Sequence, residues 1–407
     1  MRITVVALGT LLLTACGSPD RAIEAQVRVP DSLVVTQDPE LRELALDLLP
    51  GLLVRSGLEL REPVRLARRS RPELESYLLH KMDEDLPVDR ARALVTVYAA
   101  LGLMEPDTDL RDLLLSVFQE QVAGFYDPDS TALFVMDDQT GPALRPLLAH
   151  ELVHALQDQA VALDVLTDPA VGNDRATAVQ AAVEGHATLV MFEVSAGGAS
   201  GGGVDLTQVP GFGEQLRTMM ADAGAGYPQL SAAPRIVRES VLLPYLEGTS
   251  FVLEVWRREG RDDFAGSLPA STEQVLMPER FFMDPRDAPL ALSVEVPGRT
   301  PLHEDVLGAA EVRVLLEERA GPEAGAAVEG WGGDRFVLVE SDEAATVLWV
   351  SVWDDAASRD RFIATLGPGL PQDREVQFTP MEVEGHPGAL LRMGPAVADV
   401  RVTLRRP

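Results

Sequence analysis

The chain contains the pentapeptide His150–Glu151–Leu152–Val153–His154 inside a largely apolar stretch, Leu144–Gln159, that is predicted to form a helix. Residues four apart lie on the same face of a helix, so His150 and His154 can present two imidazole nitrogens to one metal ion. Glu151 lies about 100° further round the helix. It is therefore beside the metal, where a general base for an attacking water is needed. This is the H-E-x-x-H zinc motif; the alternative is a buried helix with two incidental histidines.

A catalytic zinc site needs a third protein ligand, and the next predicted helix, Asp174–Val194, offers Glu184 and His186. These residues are two apart, so they point about 200° away from each other and only one can face the metal. We favour Glu184, because Gly185 and the small residues around it would let this helix approach the first one closely. A short carboxylate needs such an approach to reach the ion. His186 is then a partly buried histidine or a residue that supports a ligand.

The run His150-Glu151-x-x-His154 followed by Glu184-Gly185-His186-Ala187 resembles the gluzincin zinc peptidases, which include thermolysin and a group of aminopeptidases. Pro244-Tyr245-Leu246-Glu247-Gly248 is similar to the segment that carries the transition-state tyrosine of those aminopeptidases. The resemblance covers residues 120–260, approximately. The chain departs from thermolysin at Thr188, which stands where thermolysin has an aspartate.

This resemblance implies a zincin-like metallopeptidase fold with Zn²⁺ as the cofactor and a peptide or protein as the substrate. It implies that His150, His154 and Glu184 are the metal ligands. Glu151 and Tyr245 are the implied catalytic residues, as general base and as hydrogen-bond donor to the oxyanion of a tetrahedral intermediate.

Pro244 is predicted to begin a helix that runs to about Glu259, since proline is favoured in the first helical turn. Tyr245 would then stand at the helix N-terminus, where free N–H groups and the helix dipole favour developing negative charge. If Tyr245 is not the donor, Tyr227 and His186 are the next candidates.

The region before the motif is predicted to be helical and to end in a β-hairpin. The predicted helices are Pro39–Ser56, interrupted at Pro50-Gly51, then Arg71–Met82, Val88–Leu103 and Asp109–Val122. Gly124–Tyr126 and Ala132–Met136 are β-type runs separated by a turn composition, and they predict the hairpin. Gluzincins have an edge strand at this point that pairs with an extended peptide; a purely structural hairpin is the equal alternative.

Residues 290–407 are predicted to form a smaller α+β domain with an antiparallel sheet, of unknown role. Asp284–Thr300 reads as a link, followed by helices at Glu304–Ala320 and Ala356–Leu366. The strand-like runs are Arg335–Glu340, Thr346–Trp353, Glu375–Thr379, Gly388–Met393 and Asp399–Leu404. Trp331, Trp349 and Trp353 are predicted core residues. The fold class is therefore α+β, with a mainly helical zincin-like domain over 31–289 that contains a short hairpin or sheet, followed by this domain.

Residues 1–16, MRITVVALGTLLLTAC, have the plan of a signal peptide, because the apolar run is too short to span a bilayer. Leu13-Thr14-Ala15-Cys16 resembles the bacterial lipobox, in which the cysteine carries lipid; an ordinary cleaved signal with an incidental cysteine is the alternative. Cys16 is the only cysteine in the 407 residues, so no disulfide is predicted. Residues 17–30 would be a tether, with the protein anchored by lipid to the bacterial cell envelope, outside the cytoplasm.

The formal charge of −29 argues against a nucleic-acid partner, because a phosphate-binding surface needs clustered Lys and Arg. Two other functions stay open on the sequence. One is a non-catalytic envelope lipoprotein that retains a metallopeptidase fold for binding or assembly. The other is a zinc hydrolase with a substrate other than a peptide. The presence of Glu151 argues against the first, since a binding protein has no need of a general base.

Overall fold

The computed structural model describes residues 27–166, 168–196, 204–213, 215–216, 218, 226–340, 344–371, 375–397 and 399–405. The predicted signal peptide, Cys16 and the first part of the predicted tether lie outside these described residues. The fold is α+β, as the sequence predicts, and helices make up its larger part. None of the described helices combines the length and the hydropathy needed to cross a membrane.

The helices and strands follow one another along the whole described chain. The helices are α1 (Pro39–Ser56), α2 (Arg71–Asp85), α3 (Val88–Leu101), α4 (Leu110–Gln121), α5 (Leu144–Ala160), α6 (Leu163–Leu166), α7 (Asn173–Ala196), α8 (Pro228–Ala232), α9 (Arg235–Glu259), α10 (Thr272–Leu276), α11 (Pro278–Phe281), α12 (Gly308–Ala320) and α13 (Ala356–Leu366). The strands are β1 (Val34–Val35), β2 (Val64–Arg69), β3 (Gly124–Asp127), β4 (Ala132–Met136), β5 (Leu292–Glu295), β6 (Pro301–Asp305), β7 (Trp331–Glu340), β8 (Ala345–Trp353), β9 (Val376–Val383), β10 (His386–Met393) and β11 (Arg401–Leu404).

The first sheet has the strand order β1-β2-β4-β3. β1 and β4 pair with β2 in parallel, and β3 pairs with β4 in antiparallel orientation. The predicted hairpin is therefore confirmed, and β3 is an edge strand of the sheet. The N–H of Met136 donates to the carbonyl of Ala123, so by strand alternation the backbone groups of Gly124 and Tyr126 point away from β4, although all four residues of β3 are buried. α5 packs against β3 at this edge.

α1 runs without interruption through Pro50, so the predicted break at Pro50-Gly51 is wrong. The side chain of Asp38 caps the helix by accepting from the N–H groups of Glu40 and Leu41. Leu48, Leu49 and Leu52 are buried on both sides of the proline. Their packing against α5 and α7 offsets the one backbone hydrogen bond that a proline removes.

α9 begins at Arg235, nine residues before Pro244, so the prediction that Pro244 opens this helix is wrong. Ile236, Val237 and Leu243 are buried before or at the proline, and the helix packs along α7 over most of its length. This packing stabilises a helix that the local sequence would end at Pro244. Tyr245 therefore lies in the middle of α9, and the argument from a helix N-terminus does not apply to it.

The second sheet is antiparallel throughout, with the order β6-β7-β8-β10-β9. α12 and α13 cover one face, and a separate pair of strands, β5 and β11, packs on the other. Two predictions need correction here. The predicted link Asp284–Thr300 contains β5, and the helix predicted from Glu304 starts at Gly308 because Pro301–Asp305 pairs with β7 as β6. The three tryptophans are buried, as predicted.

One hydrophobic cluster joins the two halves of the chain. Val97, Leu101 and Val117 from α3 and α4 belong to the same buried cluster as Leu316 of α12 and Trp331 of β7. The metal-motif helices α5 and α7 belong to another cluster, together with α1 and the first sheet. Apolar residues from both sides of residue 290 thus share a core.

Candidate metal centre

Three predicted ligand atoms converge at the contact between α5 and α7. The Nε2 atoms of His150 and His154 are 2.9 Å apart. Oε2 of Glu184 is 3.1 Å from His150 Nε2 and 3.5 Å from His154 Nε2. All three residues are buried, at 1%, 2% and 1% relative exposure respectively. Among the described residues, this is the group of histidines and acids whose geometry suits a metal ion.

The three separations match what a tetrahedral zinc ion requires. Two ligand atoms that each lie about 2.1 Å from zinc at tetrahedral angles are about 3.4 Å from one another. The observed separations of 2.9, 3.1 and 3.5 Å lie within about 0.5 Å of this value. Gln180 donates to Glu184 Oε1 at 2.6 Å, which leaves Oε2 as the oxygen that faces the histidines. A His₂Glu set is a donor set of catalytic zinc sites, so these residues fit the predicted Zn²⁺.

The electrostatics of the three residues favour a cation between them. Burial alone would raise the pKa of Glu184, but the charge of His154 and hydrogen bonds from both histidines lower it to about 2. Burial would lower the pKa of His154, yet the Glu184 carboxylate raises it to about 9. Burial lowers the pKa of His150. A proton and a divalent cation compete for the same position beside Glu184.

Glu151 is the most unusual carboxylate of the site. It has 0% relative exposure, and among the described residues neither of its oxygens has a hydrogen-bond partner. It lies near the backbone N–H of Tyr126 on β3, and burial raises its pKa to about 8, with a further rise from Glu184. A buried carboxylate without a partner is costly. A raised pKa of this kind is common in carboxylates that accept and donate protons in a reaction.

A chain of hydrogen bonds runs from His154 through Gln157 and His186 to the backbone of α1. His186 Nε2 lies 3.1 Å from the carbonyl of Ser56, so it must donate, and His186 Nδ1 is left as an acceptor. Gln157 Nε2 donates to this Nδ1 at 3.0 Å and to the Val183 carbonyl at 2.9 Å. Burial lowers the pKa of His186 to about 3, in agreement with a neutral ring.

These partners assign the tautomer of His154. Because the amide nitrogen of Gln157 faces two acceptors, its oxygen Oε1 faces His154 Nδ1, at 2.7 Å. His154 Nδ1 therefore carries a proton in either charge state of the ring, and Nε2, which faces the site, is the nitrogen left for a metal ion. His186 is fully buried and contacts Gln157, which agrees with the second of its two predicted roles, support of a ligand. Gln157 was missed, although it lies three residues after His154, on the same helix face.

Gly185 does not serve the close approach of α7 to α5 that the sequence analysis assumed. A Cβ on Gly185 would overlap the carbonyl of Gly248, and a Cβ on Gly248 would overlap the carbonyl of Ala181. The two glycines therefore allow α7 and α9 to cross in backbone contact. This crossing brings Tyr245, one helical turn before Gly248, to the metal-ligand residues: its ring centroid is 6.5 Å from that of His150. The predicted site residues all meet here.

A cavity of about 300 Å³ reaches the site from the side of α3 and α4. Glu184, Gln180 and Tyr245 line its inner end. The cavity continues between α3, α4, α7 and α9, and Glu311 of α12 lines it further out. It lies within the size range of small-molecule and peptide-binding pockets.

Comparison with known proteins gives one match. A family model described as a domain of unknown function (DUF8575) matches residues 297–379, which include α12 and most of the second sheet. No curated protein and no solved structure matches the chain. The matched segment contains none of the metal-motif residues, but it contributes Glu311 to the cavity.

Proposed function

We propose that the chain is a zinc-dependent metallopeptidase of the gluzincin type, with a zincin-like domain built on α5, α7 and the first sheet. The observation that carries the proposal is the convergence of the His150, His154 and Glu184 ligand atoms within 3.5 Å, beside a buried and unpartnered Glu151. Two histidines on one helix turn and a carboxylate from a second helix form a ligand set with an open fourth position.

Each residue of the site has a distinct role in peptide hydrolysis. When bound, Zn²⁺ supplies Lewis acidity at the scissile carbonyl and at the attacking water. Glu151 accepts a proton from that water and delivers it to the leaving amine, so that one water is consumed for each bond cleaved. Tyr245 donates a hydrogen bond to the oxyanion of the tetrahedral intermediate. Gln157 and His186 hold His154 in the tautomer that a metal ligand needs.

The edge strand β3 supports a peptide or protein as the substrate. The backbone groups of Gly124 and Tyr126 that point away from β4 lie close to Glu151, on an edge strand that is buried beside α5. An extended peptide can pair with such an edge through its main chain, without demanding a particular sequence. This pairing would carry the scissile bond past the general base.

We also propose that the protein is a lipoprotein of the bacterial cell envelope, held outside the cytoplasm by lipid on Cys16. The support is the signal-like run of residues 1–16 with its Leu-Thr-Ala-Cys ending. Replacing Cys16 with Ser should move the protein out of the membrane fraction or block its processing. Unchanged membrane association of this variant would contradict the lipid anchor.

The proposed activity is tested by metal analysis of the purified protein together with digestion of a peptide library. The wild-type protein should hold about one zinc per chain and cleave peptides, with cleavage lost to a chelator and restored by zinc. Glu151→Gln should keep the zinc and lose the cleavage, because it removes the proton acceptor but leaves the ligands.

Glu75→Gln is the matched control, since Glu75 is an exposed acid on α2. It should retain both zinc and cleavage. A wild-type protein that binds no zinc, or a Glu151→Gln variant that cleaves at the normal rate, would overturn the mechanism. Zinc binding without any peptide cleavage would instead favour a hydrolase of another substrate or a non-catalytic protein.

A further inference from the structure

The cavity that leads to the metal centre has one polar wall and one apolar wall. The polar wall is a stripe of side chains on α7, Asn173, Thr177, Gln180 and Glu184, which are three or four residues apart and so share one helix face. The opposite wall is built from apolar residues of α3, α4 and α9: Leu94, Leu110, Leu114, Phe118, Val237 and Val241. Such a channel suits an extended peptide, whose amides can bond to one wall while its side chains pack on the other.

The length of the stripe sets the length of the segment that fits. Asn173 and Glu184 are eleven residues apart on one helix, and at the helical rise this is about 16 Å. An extended chain rises about 3.3 Å per residue, so about five residues span the channel.

The outer end of the cavity is a connected cluster of charged groups. Glu311 Oε1 accepts from the Tyr98 hydroxyl at 3.0 Å and from Asn173 Nδ2 at 2.8 Å. Arg90 contacts Asp305 at 3.2 Å and donates to the backbone carbonyl of Asp85 at 3.3 Å. The cluster therefore has three carboxylates, on Asp85, Asp305 and Glu311, and one guanidinium.

Two carboxylate oxygens of this cluster have no hydrogen-bond donor among the described residues. Among the described residues, the buried atoms Glu311 Oε2 and Asp85 Oδ2 have no hydrogen-bond partner, although both residues line the cavity. The hydrogen bonds of Arg90 go to Asp305 and to the backbone, and its buried Nε atom also has no partner among the described residues. Burial raises the pKa of Glu311 to about 8, and Asp305 and Asp334 add to the rise against the hydrogen bonds from Asn173 and Tyr98, so a cation bound beside this carboxyl would favour its ionised form. A ligand that brings a cationic nitrogen would supply what both oxygens lack.

We propose that this cavity is the substrate channel and that it takes an extended peptide with apolar residues next to the scissile bond and a protonated amine about five residues away. The proposal rests on the proposed metallopeptidase function and names the substrate class of that site. The amine has two sources, a lysine side chain or the free amino terminus of the peptide, and both present the same ammonium chemistry to Glu311 and Asp85.

The test is calorimetric titration of short peptides into the full chain carrying Glu151→Gln, loaded with zinc and kept in detergent micelles. Each peptide has a central Leu-Leu pair. The first series is capped at both ends and has lysine about five residues from this pair; its reference has norleucine, which keeps the chain length but lacks the amine. The second series has no lysine; its free amino terminus lies at the same distance from the Leu-Leu pair. Its reference peptide is acetylated at the amino terminus.

The peptide with the amine should bind about tenfold or more tightly than its reference in at least one series, as expected for a charge-assisted hydrogen bond. The series that shows the difference identifies the source of the amine. Glu311→Gln should abolish the difference. Glu318→Gln, which removes an exposed acid from the same helix, should preserve it.

Leu114→Trp, which fills the channel from α4, should weaken all of these peptides. Leu115→Trp, next to it but outside the cavity lining, should not. Equal binding of every amine peptide and its reference would overturn the inference, and so would retained selectivity in Glu311→Gln. Because binding is measured on an inactive protein, selective binding without wild-type cleavage would contradict the proposed activity alone.

Discussion

Gly185 and Gly248 lie against each other where α7 crosses α9, and neither position has room for a Cβ atom. This contact places the helix that carries Glu184 and the helix that carries Tyr245 at the same point. It accounts for the glycine in each of the two short motifs. The requirement is steric and lies in the backbone, so it does not depend on the chemistry of the neighbouring side chains.

Gly248→Ala should therefore destabilise the fold, because its methyl group would overlap the Ala181 carbonyl, which cannot move without its helix. We expect a loss of about 1–3 kcal/mol in the free energy of unfolding and weaker zinc binding, measured by denaturant titration and chelator competition. Gly51→Ala is the control. Gly51 is also inside a helix but has space for a Cβ, so this change should be neutral or stabilising. Equal effects of the two changes would contradict the steric explanation.

Glu184→Ala should lower zinc affinity far more than His186→Ala. Glu184 faces both histidine Nε2 atoms, whereas His186 points to Gln157 and to the Ser56 carbonyl. Loss of the supporting residue should cost about 10- to 100-fold in affinity, and loss of the ligand more. Competition with a colorimetric chelator gives both values. If His186→Ala has the larger effect, the third ligand has been assigned to the wrong residue.

Two variants at Gln157 distinguish an effect on the tautomer of His154 from an effect on packing. Gln157→Leu removes the acceptor for His154 Nδ1 and should lower zinc affinity about 10- to 100-fold. Gln157→Glu keeps that acceptor but loses the donors to Val183 and His186, so it should retain zinc better while losing stability. Both variants are measured by chelator competition and thermal unfolding. Zinc affinities that simply follow the melting temperatures would show a packing role only.

Tyr245→Phe should depress kcat by about 100-fold or more, with little change in KM or zinc content, because an oxyanion donor acts only as charge develops. The phenylalanine keeps the ring packing beside His150, so the loss belongs to the hydroxyl. Steady-state kinetics on a cleaved library peptide give both constants. A near-normal kcat would exclude Tyr245 as the donor; Tyr227, another predicted candidate, precedes α8 and does not line the cavity.

Elements with a local sequence pattern could be predicted from the sequence. Elements whose structure depends on contacts with distant parts of the chain could not. The helices of the first half and the β3–β4 hairpin follow from periodicity and turn composition, and His150 and His154 follow from helical spacing. β2 was not predicted, because its strand character depends on parallel pairing with β1 and β4 from other parts of the chain. Pro244 was read by its local preference, whereas contact with α7 maintains the helix through it. Gly185 was predicted to let α7 approach α5, but the fold brings it against Gly248 of α9 instead.

The hydrophobic cluster shared by α3, α4, α12 and β7 links the stability of the two halves of the chain. A chain cut at residue 290 would expose Val97 and Leu101 of α3 to water and would also lose Glu311, so residues 31–289 would not be a self-sufficient fragment. These contacts join residues about two hundred positions apart, and closing such long loops costs chain entropy and slows folding. During synthesis, α3 and α4 would therefore wait for the C-terminal sheet before reaching their final packing, and the cavity beside the candidate metal site would be complete only once α12 had been made.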